Sequence, residues 1–376
     1  MIYLLVPLIA LALFAGLAYA HYAYWTRRFG VPMEYLLEDE ICTADGAYIM
    51  LYRLPLPVTL KATRPVLLVH GIGIDHRNND MLPNASLARH LHDAGRDVWL
   101  LRLRSGGMVR RFRDAKKVRF DAMVKHDIPL GVDTVLLRTN ETQLDFVGFS
   151  MGGMLLYGAL TATSPQGETS ERVLAFEKLA HVVIIGSPAR VGHSVPFRAL
   201  VERFPDAMVP TIPIRFLSRM FAFISELFDT PLHGFIVNPR NLEKGVAQRA
   251  MMTVEDAPSW LAVDFLGWMR AGGIVRVDGK DVVEGLVDAT VPALFFVGGV
   301  DRLAPEHAVR PAFDAWGSAN AAIEKRFVVL STAAGALADY GHGDLAFGRH
   351  ARVDLFDPIE VFLGPAVAAV SSPDGL

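Results

Sequence analysis

The stretch "LDFVGFSMGGMLLYGAL", residues 144–160, decides the fold. An apolar run climbs to one serine, Ser150, and helix formers follow at once. Gly148, Gly152 and Gly153 crowd around it. The run before Ser150 reads as a buried strand and the run after it as a helix. Ser150 then sits on a sharp strand-to-helix turn, inside the pattern Gly-x-Ser-x-Gly from Gly148 to Gly152. One reading is a tight turn that happens to contain serine. The other is a nucleophile on an elbow, which needs small neighbours because its backbone is strained.

The same rhythm continues on both sides. The segment "EDEICTADGAYIMLYRLPLP" (38–57) reads as two strands around an Asp45-Gly46 turn. Further strands are expected in "PVLLVHG" (65–71), "DVWLLRLR" (97–104), "LAHVVIIGSP" (179–188), "VPALFFVGG" (291–299) and "RFVVLST" (326–332). Residues 120–139 have helical spacing, with Pro129 expected to interrupt the helix. Strands rich in Val, Leu, Ile and Phe that alternate with helices imply an α/β fold. The sheet is expected to be mostly parallel, with helices on both faces.

Between about Val191 and Val287 the strand rhythm lapses. The stretches "IRFLSRMFAFISELF" (214–228) and "APSWLAVDFLGWM" (257–269) are amphipathic and dense in Phe, Met and Trp. They predict a mainly helical cap, part of it packed on the core and part lining an apolar pocket. The expected division is a membrane segment over 1–26, a core of 27–190 and 288–366, a cap over 191–287 and a tail over 367–376.

Bulk properties narrow the function. The chain has 376 residues and a formal net charge of −3, so nothing in the balance points to nucleic acid. A single cysteine, Cys42, excludes an intrachain disulfide and a thiolate zinc cluster.

Residues 2–20 carry no charge, and apolar character persists to Trp25. That length matches a helix crossing a hydrocarbon core of roughly 30 Å, with Tyr22, Tyr24 and Trp25 placed as an interfacial aromatic belt. Ala18-Tyr19-Ala20 also fits a signal-cleavage site, which would imply export. The first basic residues, Arg27 and Arg28, follow the apolar run, which favours an uncleaved anchor with the larger domain on the cytoplasmic side. The loop over 102–119 holds eight basic residues and one acid, Asp114. It reads either as solvated surface or as a contact for anionic headgroups.

A serine hydroxyl needs a base to take its proton and an acid to orient that base. In "FFVGGVDRLAP", Asp301 follows an apolar run and precedes a Pro-initiated helix, which places an acid at the end of a later strand. Its structural alternative is a helix N-terminal residue favoured by the dipole. In "ADYGHGDLAFG", His342 stands in a glycine-flanked loop after the last strand. His350, His193 and His233 compete less well for the base. An oxyanion hole requires backbone N–H groups. Met151 follows the nucleophile, and Ile72 lies in "HGIG" (70–73), where Gly71 and Gly73 allow close approach. His70 reads as a loop-ordering residue rather than a base.

With these residues in the order Ser, Asp, His, the sequence resembles the α/β-hydrolase superfamily. Within it, the chain is most similar to the acid lipase and steryl ester hydrolase family over roughly residues 64–363. That likeness rests on "VRFDAMVKHDIPLGVDTVL" (118–136) and "HGDLAFGRHA" (342–351), which are similar to that family's Phe-Asp-x-Met-x-x-x-Asp-x-Pro and His-x-Asp-Phe-x-x-Gly-x-x-Ala segments. One departure is Phe149, where the family usually has His. The resemblance implies triad roles for Ser150, Asp301 and His342, lipid-derived carboxylic esters as substrates, and no metal or organic cofactor. An acyltransferase using the same triad and an inactive lipid- or partner-binding scaffold are the rival readings.

Overall fold

The structure is a computed structural model. It describes residues 2–30, 33–56, 64–82, 86–107, 116–164, 172–192, 205–206, 209, 211, 213–224 and 233–364. The expected tail over 367–376 and residues 108–115 of the basic loop lie outside the described residues.

Eight strands form one sheet. In chain order they are β1 (Leu37–Cys42), β2 (Tyr48–Arg53), β3 (Val66–Val69), β4 (Val98–Arg102), β5 (Leu144–Phe149), β6 (Leu179–Ile185), β9 (Ala293–Gly298) and β10 (Lys325–Leu330). Their spatial order is β1-β2-β4-β3-β5-β6-β9-β10. The β1–β2 and β2–β4 pairs are antiparallel and all the others are parallel. Residues of β3, β5 and β9 are buried throughout, as strands covered on both faces must be. Strands β7 (Arg276–Val277) and β8 (Lys280–Asp281) make a small separate hairpin. It falls inside the stretch expected to be helical, and with two residues per strand it shows no period that a sequence can display.

Helix α1 (Ile2–Phe29) comes first, and α2 (Leu87–Asp93) packs beside β4. Residues 120–139 stay helical throughout, against the expected break at Pro129. Helix α3 (Phe120–Ala122) runs through a π-turn at Met123–Asp127 into α4 (Ile128–Thr139). The wider turn relieves the clash between a proline ring and the carbonyl four residues back, here that of Lys125. The same device recurs before Pro358, where a π-turn at Arg352–Phe356 leads into the final helix Asp357–Phe362. Helix α5 (Met151–Thr161) is buried along its whole length beneath the elbow.

The region 191–287 contains α6 (Ile214–Met220), α7 (His233–Ile236), α8 (Val246–Met252) and α9 (Ser259–Arg270). Helix α9 is fixed to the core by Trp268 against Phe120, ring centroids 4.8 Å apart, and by Asp264, which accepts from the Phe120 N–H at 2.9 Å.

Two expectations change. The end of α1 belongs to the fold: Trp25 and Met251 pack against a cluster of Phe29, Ala222 and Met252. Arg104 and Arg119 are not free surface charges of a basic loop. Arg104 is buried, donates from Nε and its backbone N–H to Asp127, and pairs with Asp45. Arg119 pairs with Asp264. Lys116 is exposed.

Removing one partner of a buried ion pair leaves the other uncompensated, at a cost of about 3–5 kcal/mol. Arg104→Ala is therefore expected to lower the unfolding free energy by about that amount. The double change Arg104→Met/Asp127→Leu should recover most of it. Denaturant unfolding of the detergent-solubilised chain checks both.

Candidate active site

Four loops leave the carboxyl ends of β3, β5, β9 and β10 and meet on one side of the sheet, where open α/β sheets form their ligand crevice. At the end of β5, Ser150 adopts φ 52° and ψ −120°, a positive-φ conformation rare for a residue with a side chain. Its N–H donates to Ile185 O at 2.8 Å, which ties the elbow to the end of β6. The glycines around it have no room for substitution. A Cβ on Gly152 would stand 2.4 Å from Val69 O, and one on Gly148 would stand 2.6 Å from Gly153 N.

His342 Nε2 lies 2.9 Å from Ser150 Oγ, and His342 Nδ1 lies 2.7 Å from Asp301 Oδ2. Relative exposures of 8%, 7% and 5% for Ser150, His342 and Asp301 keep this chain of contacts nearly dry. A carboxylate can only accept, so Nδ1 carries the proton and Nε2 is left with a lone pair facing the hydroxyl. Asp301 Oδ1 accepts from the N–H groups of Leu303 and Ala304, both at 2.8 Å. The following helix begins only at Glu306 with Pro305 as its N-cap, so Asp301 is not the helix N-terminal residue of the structural alternative; one oxygen holds the turn before that helix and the other faces His342. Phe149 packs its ring 5.2 Å from the imidazole of His342. His350 contributes its carbonyl to the following turn, accepting from Val353 and Asp354. His193 and the side chain of His233 lie outside what is described.

The "HGIG" loop passes directly against the serine. A Cβ on Gly71 would meet Ser150 Cβ at 2.9 Å. Gly73 has φ +69°, a turn open to glycine. Met151 is the first residue of α5, so its N–H has no intrahelical acceptor. Ile72 N–H enters none of the loop hydrogen bonds among the described residues. His70 is fully buried, and burial pushes its imidazole down to about 4. Its Nε2 accepts from the Leu103 N–H at 3.1 Å, so Nδ1 must donate to Gly71 O at 2.8 Å. A neutral His70 in one tautomer therefore fixes the loop's first peptide.

Two acids in this neighbourhood were not singled out in the sequence. Asp344, fully buried, accepts from Gly341 N at 3.0 Å and Asn238 N at 2.9 Å on one oxygen, and from Asn241 Nδ2 at 2.9 Å on the other. Burial raises its pKa, and these donors oppose the rise. The carboxylate shapes the His342 loop, and its place in the quoted "HGDLAFG" run was the available signal. Glu255 pairs with Arg215 at 3.2 Å; burial, with the Asp75 charge next, pushes its carboxyl up to about 7.

This arrangement can take a proton from a serine hydroxyl and can hold a negative oxygen beside it. Comparison with known proteins agrees in kind. The chain is 34% identical over 174 residues to human gastric triacylglycerol lipase, covering 43% of this chain and 41% of that protein. It is 30% identical over 274 residues to mouse lipase member K, covering 66% and 65%. The chain spans about half the length of the curated relatives it matches. No family model matches it. A thermophilic esterase from Thermogutta terrifontis superposes with a TM-score of 0.53 at 18% identity, covering 87% of this chain and 98% of that one. The mostly parallel sheet and the elbow between β5 and α5 give the chain the α/β-hydrolase fold, and in sequence it is similar to the lipases named above.

Proposed function

We propose that this protein is a serine-dependent carboxylic ester hydrolase acting on apolar, lipid-derived esters. The observation that carries the reading is His342, within hydrogen-bond distance of Ser150 on one nitrogen and of Asp301 on the other. Ser150 Oγ attacks the ester carbonyl carbon while its proton passes to His342 Nε2. The carbonyl π pair moves to oxygen, which receives the N–H groups of Met151 and Ile72. Asp301 stabilises the imidazolium without taking its proton. Collapse expels the alcohol, protonated by His342, and leaves an acyl group on Ser150. Water then repeats the sequence and releases the acid.

An apolar substrate is supported by the side chains around the site. Val300 and Leu303 flank Asp301 and are exposed, as is Ile236, whose carbonyl accepts from Gly343 beside His342. The curated relatives named above are lipases. The division into a core and a cap over 191–287 belongs to the same reading, with the cap helices setting the walls over the serine.

Helix α1 supplies the membrane contact in this reading. It is long and apolar enough to span a bilayer, and Leu8, Leu11, Leu13, Phe14 and Leu17 are exposed along it. We take it as an uncleaved anchor with the enzyme on the cytoplasmic side, assisted at the headgroup level by the remaining basic residues of 102–119.

Ser150→Ala is expected to abolish turnover of p-nitrophenyl esters and labelling by a fluorophosphonate, with the circular dichroism spectrum unchanged. Retained turnover would falsify the serine mechanism. Lengthening the acyl chain from acetate should raise kcat/KM, by at most about 0.8 kcal/mol for each buried CH₂. A flat series argues against an apolar acyl site. N-terminal sequencing of the membrane-bound protein should read from the initial residues; a chain beginning at His21 would show that the segment is a cleaved signal.

A further inference from the structure

The end of α1 does more than tether the domain. His21 donates through Nε2 to Met220 O at 2.9 Å, and the Tyr22 ring stacks on Phe216 with centroids 5.7 Å apart. Arg219, on α6 and 6% exposed, donates from Nη1 to Tyr22 Oη and from Nη2 to Met252 O, each at 3.2 Å. One guanidinium thus joins α1, α6 and the end of α8.

From there the contacts run to the loop beside the serine. Residues 251–256 are fastened to α6 at several further points. Ser218 Oγ donates to Met251 O at 3.3 Å, Arg215 N–H to Asp256 at 2.9 Å, and Arg215 Nη1 to Glu255 at 3.2 Å. The same segment then pairs with the loop that follows Ile72. Glu255 N–H donates to Gly73 O at 2.8 Å, Asp75 N–H donates to Thr253 O at 3.1 Å, and Ile74 and Val254 form an antiparallel bridge. An oxyanion donor has to stand about 2.7–3.1 Å from the developing charge, and Ile72 is one residue from this clip.

We propose that residues His21–Phe29 brace the oxyanion loop through Arg219, which makes Arg219 a positioning residue for acyl transfer. The proposal rests on the ester-hydrolase reading and extends it. The membrane-proximal turns, α6 and the 251–256 segment form a continuous support that sets where the Ile72 N–H points. Because the braced segment begins at His21, cleavage after Ala20 would leave it in place.

The test uses the full-length chain in detergent with p-nitrophenyl butyrate, each rate divided by the sites titrated with a fluorophosphonate. Normalising in this way removes any loss of folded enzyme. Arg219→Met and the double change Tyr22→Ala/Trp25→Ala are each expected to lower kcat per titrated site by about tenfold to a hundredfold, as a misplaced catalytic group does. KM should stay unchanged. Affinity for a trifluoromethyl ketone should fall by the same factor, because Ser150 Oγ adds to its carbonyl and leaves an oxyanion in the same hole. Arg219→Lys should recover part of kcat, since an ammonium can still reach one of the two acceptors. If Arg219→Met does not fold, Tyr22→Phe, which removes only the acceptor hydroxyl, decides by the same readouts. Unchanged kcat per site overturns the proposal, and so does a rise in KM with kcat intact. Those outcomes differ from turnover retained by Ser150→Ala, which would instead remove the reading beneath it.

Discussion

The backbone of Ser150, at φ 52° and ψ −120°, is the constraint on which the centre of the molecule depends. A residue with a side chain held there stores about 1–3 kcal/mol of strain and persists only where its surroundings over-determine it. They do so here from three directions. The Ile185 carbonyl accepts from its N–H, the N–H groups of Gly153 and Met154 donate to its carbonyl, and the fully buried α5 holds the turn from below. Glycines at 71, 148 and 152 are required because β3, β5 and α5 meet closer than any Cβ allows. The sheet order meets the same demand, since β3 and β6 flank β5 and bring the Gly71 loop and the Ile185 carbonyl against Ser150.

What the sequence makes legible is whatever has a period or a local signature. Buried strands such as β5 and β9 appear as short apolar runs, and Ser150, Asp301 and His342 each stand just past such a run. Their hydrogen-bond contacts join residues 41 and 192 positions apart. Only the common rule that strand ends converge on one side of a parallel sheet makes such a meeting foreseeable.

The readings that the structure revised have a common cause. Arg104 looks like a surface charge because its neighbours in sequence are basic. Its partners, Asp45 and Asp127, lie on other elements. The break expected at Pro129 assumes an i−4 ladder, and a π-turn removes that assumption. The packing of Trp25 and Met251 against one cluster of Phe29, Ala222 and Met252 joins two apolar segments that each look self-sufficient, one as a membrane span and the other as a helix of the 191–287 region. Tertiary pairing between distant segments leaves no mark on either one alone.

The region over the serine is clipped to the core on both sides of the site. On the His342 side, Gly343 N–H donates to Ile236 O, Arg349 N–H donates to Asn241 O, and Asp344 holds Asn238 and Asn241. On the side of the loop after β3, residues 253 and 255 bond to Asp75 and Gly73. Each buried group left unpaired would cost about 1–3 kcal/mol. A rigid lifting of the whole region would therefore break both clips together and release the loops at Gly73–Asp75 and Gly341–Asp344 that lie on either side of Ser150. A movement that preserves both clips must leave residues 236–241 and 251–256 in place.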